Sequence, residues 1–551
     1  MRFRLHRLPL LVCLSLCVSG RAATPDTLAY IDHAWTTLTR SMDDCKTLAD
    51  GGRNHSPVLY LPADVPIPEN VSRLQETCRV DVRHLPARIT RLGQLPSDRF
   101  PAGALLYLPH PYVVPGGFFN EMYGWDSYFI ALGLLADHRE TLARGMVENF
   151  LFEVAHYGAV LNGNRTQYLS RSQPPFLGEM IRDVFDDPRS FADKAAAQAW
   201  LQKAYPLAVR DHDVWIAPDH RAGDTGLARY FDYGGSGPVP EMGNASYLQA
   251  AITWLIAHPQ QRRDYLIKSS RHPDAEGAAH LASVSCDVRK SQVCADAWVD
   301  GYRLSAGFYR GDRAMRESGF DTSFRFGPFD GSTHHYAAVG LNALLYRYEV
   351  DLEYLADRLG LRADAQRWAS AAFARRSAMD KYLWQADKGM YMDYDFVTGK
   401  PSDYPFVTTF YPLWAGAASK DQAKALDANL KLFERKGGLM TSTHVSGAQW
   451  DAPYGWAPTN WLAVAGLDKY GFHADARRIA RKFTATIDRG LADDGTIREK
   501  YNMVTGSAKV NITAGYTANV IGFGWTNGVY VKMRQLLDEA KARPDRTQGE
   551  R

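Results

Sequence analysis

Beyond residue 130 the chain repeats one device, an amphipathic helical run followed by a long connector. Apolar residues recur at helical spacing over Glu140 to Tyr157, Leu341 to Leu359, Ala363 to Leu383 and Asp475 to Arg489. Each such helix must cover its apolar face with another element, so a succession of them stacks as helical hairpins. Alternating strand patterns are few, which makes the fold mainly α. Periodicity by itself fits a closed toroid and an open solenoid equally. The connectors Pro111 to Asp126, Arg316 to His335 and Thr441 to Pro458 are rich in glycine, proline and aromatic residues. They are the places to look for chemistry, because functional groups concentrate on loops held by a rigid scaffold.

At 551 residues the chain is long enough for roughly three or four domains. No Gly/Ser linker or charge run divides it, and with 46% hydrophobic and 23% charged residues it has the makings of one large core. Residues 23–100, with Pro62, Pro66, Pro68 and Pro86, read as an N-terminal extension, and residues 541–551 as a polar tail. A net charge of +3 from interspersed charges offers no face for nucleic acid or a membrane surface. A small neutral ligand fits that balance.

Arg2, Arg4 and Arg7 precede the apolar run Leu8 to Val18 and the small residues Ser19 to Ala23, the layout of a secretory signal over residues 1–22 cleaved near Ala22 or Ala23. A periplasmic or secreted location is therefore expected. Leu16 before Cys17 is larger than a lipoprotein site accepts. Export would leave Cys45, Cys78, Cys286 and Cys294 in an oxidising compartment. The short spacing predicts a Cys286–Cys294 disulfide, and the pairing of Cys45 and Cys78 stays open.

Two stretches carry most of the chemistry. In Pro115-Gly116-Gly117-Phe118-Phe119-Asn120-Glu121-Met122-Tyr123-Gly124-Trp125-Asp126-Ser127-Tyr128, glycines allow close backbone approach, aromatic faces can pack on a sugar's C–H face, and Glu121 and Asp126 can accept from hydroxyls. An aromatic core loop with a helix cap at Asp126 would look the same. The second stretch is Gln449-Trp450-Asp451-Ala452-Pro453-Tyr454-Gly455-Trp456-Ala457-Pro458.

Together they resemble the signatures of the trehalases, glycoside hydrolase family 37, the first with one departure from P-G-G-R-F-x-E-x-Y-x-W-D-x-Y and the second in full. Asn162 to Arg165, Tyr168 to Pro175 and Gly522 to Gly528 extend the resemblance over nearly the whole chain. It implies an all-α (α/α)6 toroid, with residues 101–540 as the catalytic domain and the extension packed on the barrel. It also implies hydrolysis of α,α-trehalose to two glucose molecules by an inverting mechanism. Such hydrolysis needs one protonated and one ionised carboxyl group. Asp321, in Glu317-Ser318-Gly319-Phe320-Asp321, matches the family's acid with Phe320 in place of Trp, and Glu499, in Glu499-Lys500-Tyr501, matches its base. Without the resemblance, the Arg498-Glu499-Lys500 run reads as a solvated face. Substrate-binding residues carried over by motif are Phe119, Trp125, Asp126, Asn162, Arg171, Glu241 and Trp450. Arg171 can hold two sugar hydroxyls in a fixed fork.

No cofactor or metal is expected, since the adjacent His334 and His335 lack ligand spacing. The expected partner is a small disaccharide substrate, and the enzyme is expected to be a monomer. Three departures fall where the family touches sugar: Phe118 for an Arg, Val239 for the Arg of R-P-E, and Tyr516 near a family Glu. They keep two alternatives open, a hydrolase of another small α-glucoside and an inactive sugar-binding protein.

Overall fold

How far apolar residues spread around a helix decides how deeply it lies. In this computed structural model, which describes residues 26–48, 57–101, 103–261, 264–515 and 517–542, the helices fall into two layers on that rule. Of the helices that build the ring, numbered in chain order, the first six are α1 (Thr27–Leu38), α2 (Gly124–Ala136), α3 (Glu140–His156), α4 (Leu177–Asp186), α5 (Lys194–Trp215) and α6 (Val339–Arg358). Then come α7 (Arg362–Tyr382), α8 (Tyr411–Ala415), α9 (Lys420–Phe433), α10 (Ala457–Lys469), α11 (His473–Asp494) and α12 (Gly524–Ala542). Every residue from Gly124 to Leu134 of α2 is buried. By contrast α11 buries one stripe, Ala476, Ile479, Ala480, Phe483, Ile487 and Leu491.

The even-numbered helices form the inner layer. Each packs on the next, from α2 through α4, α6, α8 and α10 to α12, and α12 returns onto α2. The odd-numbered helices lie outside: α1 on α12, α3 on α2 and α4, α5 on α4 and α6, α7 on α6, and α11 on α10 and α12. The result is an (α/α)6 toroid, and strands among the described residues form only two- and three-stranded ribbons. The closing contact depends on glycine. A Cβ on Gly133 would stand 2.4 Å from Gly528 Cα, and one on Gly528 would stand 2.0 Å from the Phe129 carbonyl oxygen. Only bare backbone lets α2 and α12 approach so closely.

Helix ends follow local chemistry. Ser419 and Gln422 form a reciprocal capping box at α9, and α11 ends on Gly495 in the left-handed region, φ 69°. Between α5 and α6 the chain makes a long excursion containing the helix Ala306–Ser318 and the ribbon Leu266–Lys268/Tyr302–Leu304.

Cys286 and Cys294 are bonded as expected, and Cys45 is bonded to Cys78. The bridges close loops of very different size, with separations of 33 and 8 residues. Loop-closure entropy then ranks them. Replacing Cys45 and Cys78 by Ser should cost about 3–4 kcal/mol, against about 2.5 kcal/mol for Cys286 and Cys294. Comparison of the two double variants' thermal midpoints checks the order; equal midpoints would contradict it.

No helix among the described residues is long and apolar enough to cross a membrane. The leader 1–22, residue Tyr516 and the tail beyond residue 542 lie outside the described residues.

Candidate active site

The connectors gather at a cavity of about 480 Å³, within the range of small-molecule sites. All nine residues singled out from sequence line it: Phe119, Trp125, Asp126, Asn162, Arg171, Glu241, Asp321, Trp450 and Glu499.

Its floor is aromatic. Trp450 stacks on Trp456 with centroids 3.8 Å apart and planes 8° apart, and Trp125 and Trp525 meet this pair edgewise or tilted. Phe320 packs behind them, 4.9 Å from Trp450 and 5.3 Å from Phe406, at 3% exposure. Replacement of Trp by Phe here therefore alters the backing of the cavity without changing its lining. Gly319, at φ 73°, ends the helix Ala306–Ser318 and passes so close under Trp125 that a Cβ would stand 2.9 Å from the indole. That explains the glycine two residues before Asp321. Glu317 is an internal anchor, accepting from the backbone N–H groups of Ser172 and Phe231 and pairing with His220 at 3.2 Å.

Three of the carboxyl groups lining the cavity act on one another. Burial raises Asp321 to about 6, opposed by Arg316 and reinforced by Glu499. Burial also raises Glu499, opposed by the Lys500 ammonium 2.7 Å from Oε2. Asp126, in the first turn of α2, is raised well above the usual carboxylate range, first by burial and then by the charges of Glu499 and Asp321. Both effects favour its protonated form, which can donate to a hydroxyl.

On the opposite wall Arg171 pairs with Glu241 and lies 3.6 Å from Asp232, which is also held by Arg313 at 3.1 Å. The Arg171 fork is thus partly engaged within the protein. Its Nε and Nη1 and Glu241 Oε2 have no hydrogen-bond partner among the described residues, although all are buried. Buried polar groups left unpaired are costly, and these atoms lie on residues that line the cavity. Asn162 has its Nδ2 donating to the carbonyls of Ser172 and Arg316 at 3.2 and 3.3 Å.

The structure adds residues that sequence did not single out. Arg316 enters the cavity held by Asp312 at 3.2 Å, and Arg165 pairs with Glu121 at 2.9 Å. Arg316 lies five positions before Asp321 within a motif already noted, so a search for cations near the carboxyl groups would have found it. The departures sort themselves by position. Phe118 stands at the rim, 66% exposed and 4.0 Å from Phe119, whereas Val239 is buried at 2% exposure and does not line the cavity.

The trehalase family pattern matches residues 62–538. The chain belongs to the trehalase family. A probable trehalase from Eremothecium gossypii is 33% identical over 90% of this chain and 70% of its own length. A cytosolic neutral trehalase from Saccharomyces cerevisiae is 32% identical over 90% and 69%. Among solved structures, the neutral trehalase Nth1 from Saccharomyces cerevisiae has 29% identity and a TM-score of 0.75, covering 94% of this chain and 95% of that one. A mannosylglycerate hydrolase from Thermus thermophilus, at 19% identity and TM-score 0.50, covers 76% of this chain and 95% of its own and shares the fold alone.

The trehalase names also bring a correction. Relatives from Saccharomyces cerevisiae and Pyricularia oryzae are named cytosolic, which contradicts the expectation of a periplasmic or secreted protein. That expectation rested on the composition of residues 1–22 alone, whereas the named relatives match over 90% and 92% of the chain. It is withdrawn.

Proposed function

We propose that this trehalase-family glycosidase cleaves α,α-trehalose with inversion at one anomeric carbon, Asp321 acting as general acid and Glu499 as general base. One observation carries the reading: two buried carboxyl groups from different connectors open into one cavity and are held in unlike surroundings. Asp321 is raised to about 6 by burial, which keeps a proton available. Glu499 touches a lysine that favours its ionised form. Burial raises both groups, and the direct lysine contact on Glu499 is what favours that residue as the base.

In this reading Asp321 gives its proton to the glycosidic oxygen as the C–O bond breaks. Glu499 takes a proton from water, whose oxygen attacks the anomeric carbon from the opposite face. The attacked half leaves as β-glucose, and the other half keeps its anomeric bond and leaves as α-glucose. Arg171 and Glu241 offer unpaired atoms to the hydroxyls, Asp126 and Asn162 add further polar groups, and Phe119, Trp125 and Trp450 supply apolar faces. The working unit in this reading is a monomer, with residues 101–540 as its catalytic domain and residues 23–100 as an extension of it.

Early-time proton NMR of trehalose hydrolysis tests the stereochemistry. Equal α- and β-glucose are expected before mutarotation, and α-glucose alone would refute inversion. Phe118 gives a second test. Phe118→Arg should alter KM or kcat for trehalose while moving stability by no more than about 0.5 kcal/mol, as is usual for an exposed position. Kinetics identical to wild type would show that residue 118 does not touch substrate.

A further inference from the structure

Lys500 follows the proposed base directly in sequence, and its side chain is fully buried. Lysine is almost never buried so completely unless it is paired. Here the pairing is unusual in whom it joins. The ammonium donates to Glu499 Oε2 at 2.7 Å and to Gln449 Oε1 at 2.8 Å, and it lies 4.8 Å from the centre of the Trp456 ring. Gln449 in turn donates through Nε2 to the backbone carbonyl of Asp321. Backbone register fixes the arrangement, because the ribbon Tyr454–Trp456/Lys500–Asn502 sets Lys500 opposite Trp456. Asn519 clamps the same strand, accepting from Lys500 N–H at 3.2 Å and donating to its carbonyl at 3.1 Å.

We infer that Lys500 is a positioning residue that holds the Glu499 carboxylate ionised and aimed, and that Gln449 ties this pair to the backbone of Asp321. The inference rests on the reading of Glu499 as base. The chain Asp321 carbonyl–Gln449–Lys500–Glu499 joins the two connectors that supply the proposed acid and base, so that neither can shift alone. An amide serves as the middle link because it donates on one side and accepts on the other.

Charge around Glu499 acts in a definite direction. Asp126 and Asp321, both acids, interact with Glu499 across the cavity, and neither favours its ionised form. Arg498, the other cation beside it in sequence, turns toward Asp494 at 3.0 Å. Lys500 is therefore the cation in contact with the carboxylate. An opposite charge at this range lowers a carboxyl group's pKa by about 1–3. Removing it should let Glu499 take up its proton at higher pH, so the acidic limb of activity must move upward.

The test is the pH profile of kcat/KM for trehalose in Lys500→Met. The acidic limb should rise by about one pH unit or more, and below the limb kcat/KM should fall roughly 10-fold for each pH unit that the limb moves. Lys500→Arg, which keeps the charge, should leave the limb in place. In a Glu499→Gln background, Lys500→Met should cost no more than about twofold, because coupled residues are non-additive.

A Lys500→Met limb coincident with wild type, or a full additive loss in the double variant, would overturn the inference. A lysine serving only to stabilise the fold would lower the melting temperature and leave the limb unmoved. If Lys500→Met does not fold, Gln449→Leu carries the test: kcat should fall about 10-fold, as for loss of other orienting contacts, with the limb unmoved. Wild-type kcat in that variant would overturn the proposed tie. Near-normal activity of Glu499→Gln would instead sink the underlying assignment of the base, so the two failures are distinguishable.

Discussion

Asp321→Asn and Glu499→Gln should each lower kcat by about 10² or more, since proton transfer by a positioned group contributes 10²–10⁴. The two losses should differ in how they respond to pH. Burial raises Asp321 to about 6, and the acid works only while protonated. In the free enzyme kcat/KM should therefore decline as pH rises through about 6, a decline that Asp321→Asn has no proton to produce. Burial raises Glu499 as well, but the base works only while ionised, so its loss of function lies on the acidic side. Steady-state kinetics across pH, with folding checked by circular dichroism, read both effects. Near-normal turnover in either variant would end that residue's assignment.

Arg171→Met should be nearly as damaging, by a different route. Arg171 is 2% exposed and stands between Glu241 and Asp232. Asp232 keeps Arg313, but half-buried Glu241 loses its ion-pair partner and retains only the charge of Arg316. Breaking a buried pair by removing one partner costs about 3–5 kcal/mol. The unpaired Nε is lost as well, and one hydrogen bond from a charged group at about 1.5–3 kcal/mol amounts to about 10–10² in kcat/KM. Thermal melts and trehalose kinetics should fall together. A variant that melts at the wild-type temperature with unchanged kcat/KM would show that Arg171 serves neither role.

The helical class and the rim of the site were legible because their signals are local. Periodicity over Asp475 to Arg489 marks a helix that in fact runs from His473 to Asp494, and the tryptophan-rich motifs mark loops that converge. Two kinds of feature were not legible. The inner helix α8 has five residues, Tyr411–Ala415, too short for any apolar period to register. Closure of the toroid rests on Gly133 meeting Gly528, a contact between distant parts of the chain that leaves no mark in either segment. The Arg498-Glu499-Lys500 run misled in its own way. Composition makes it a solvated face, yet Lys500 is fully buried because a strand pairing and a carboxylate await it.

The Gly133–Gly528 seam also sets when the enzyme comes into being during synthesis. Phe523 and Trp525, which line the cavity, lie at the start of α12, which is synthesised after the segments that carry Asp321 and Glu499. Until that helix docks on α2, a nascent chain carries Asp321 and Glu499 but lacks the wall that Phe523 and Trp525 complete. A chain truncated before Gly524 would thus have an open ring and no finished pocket.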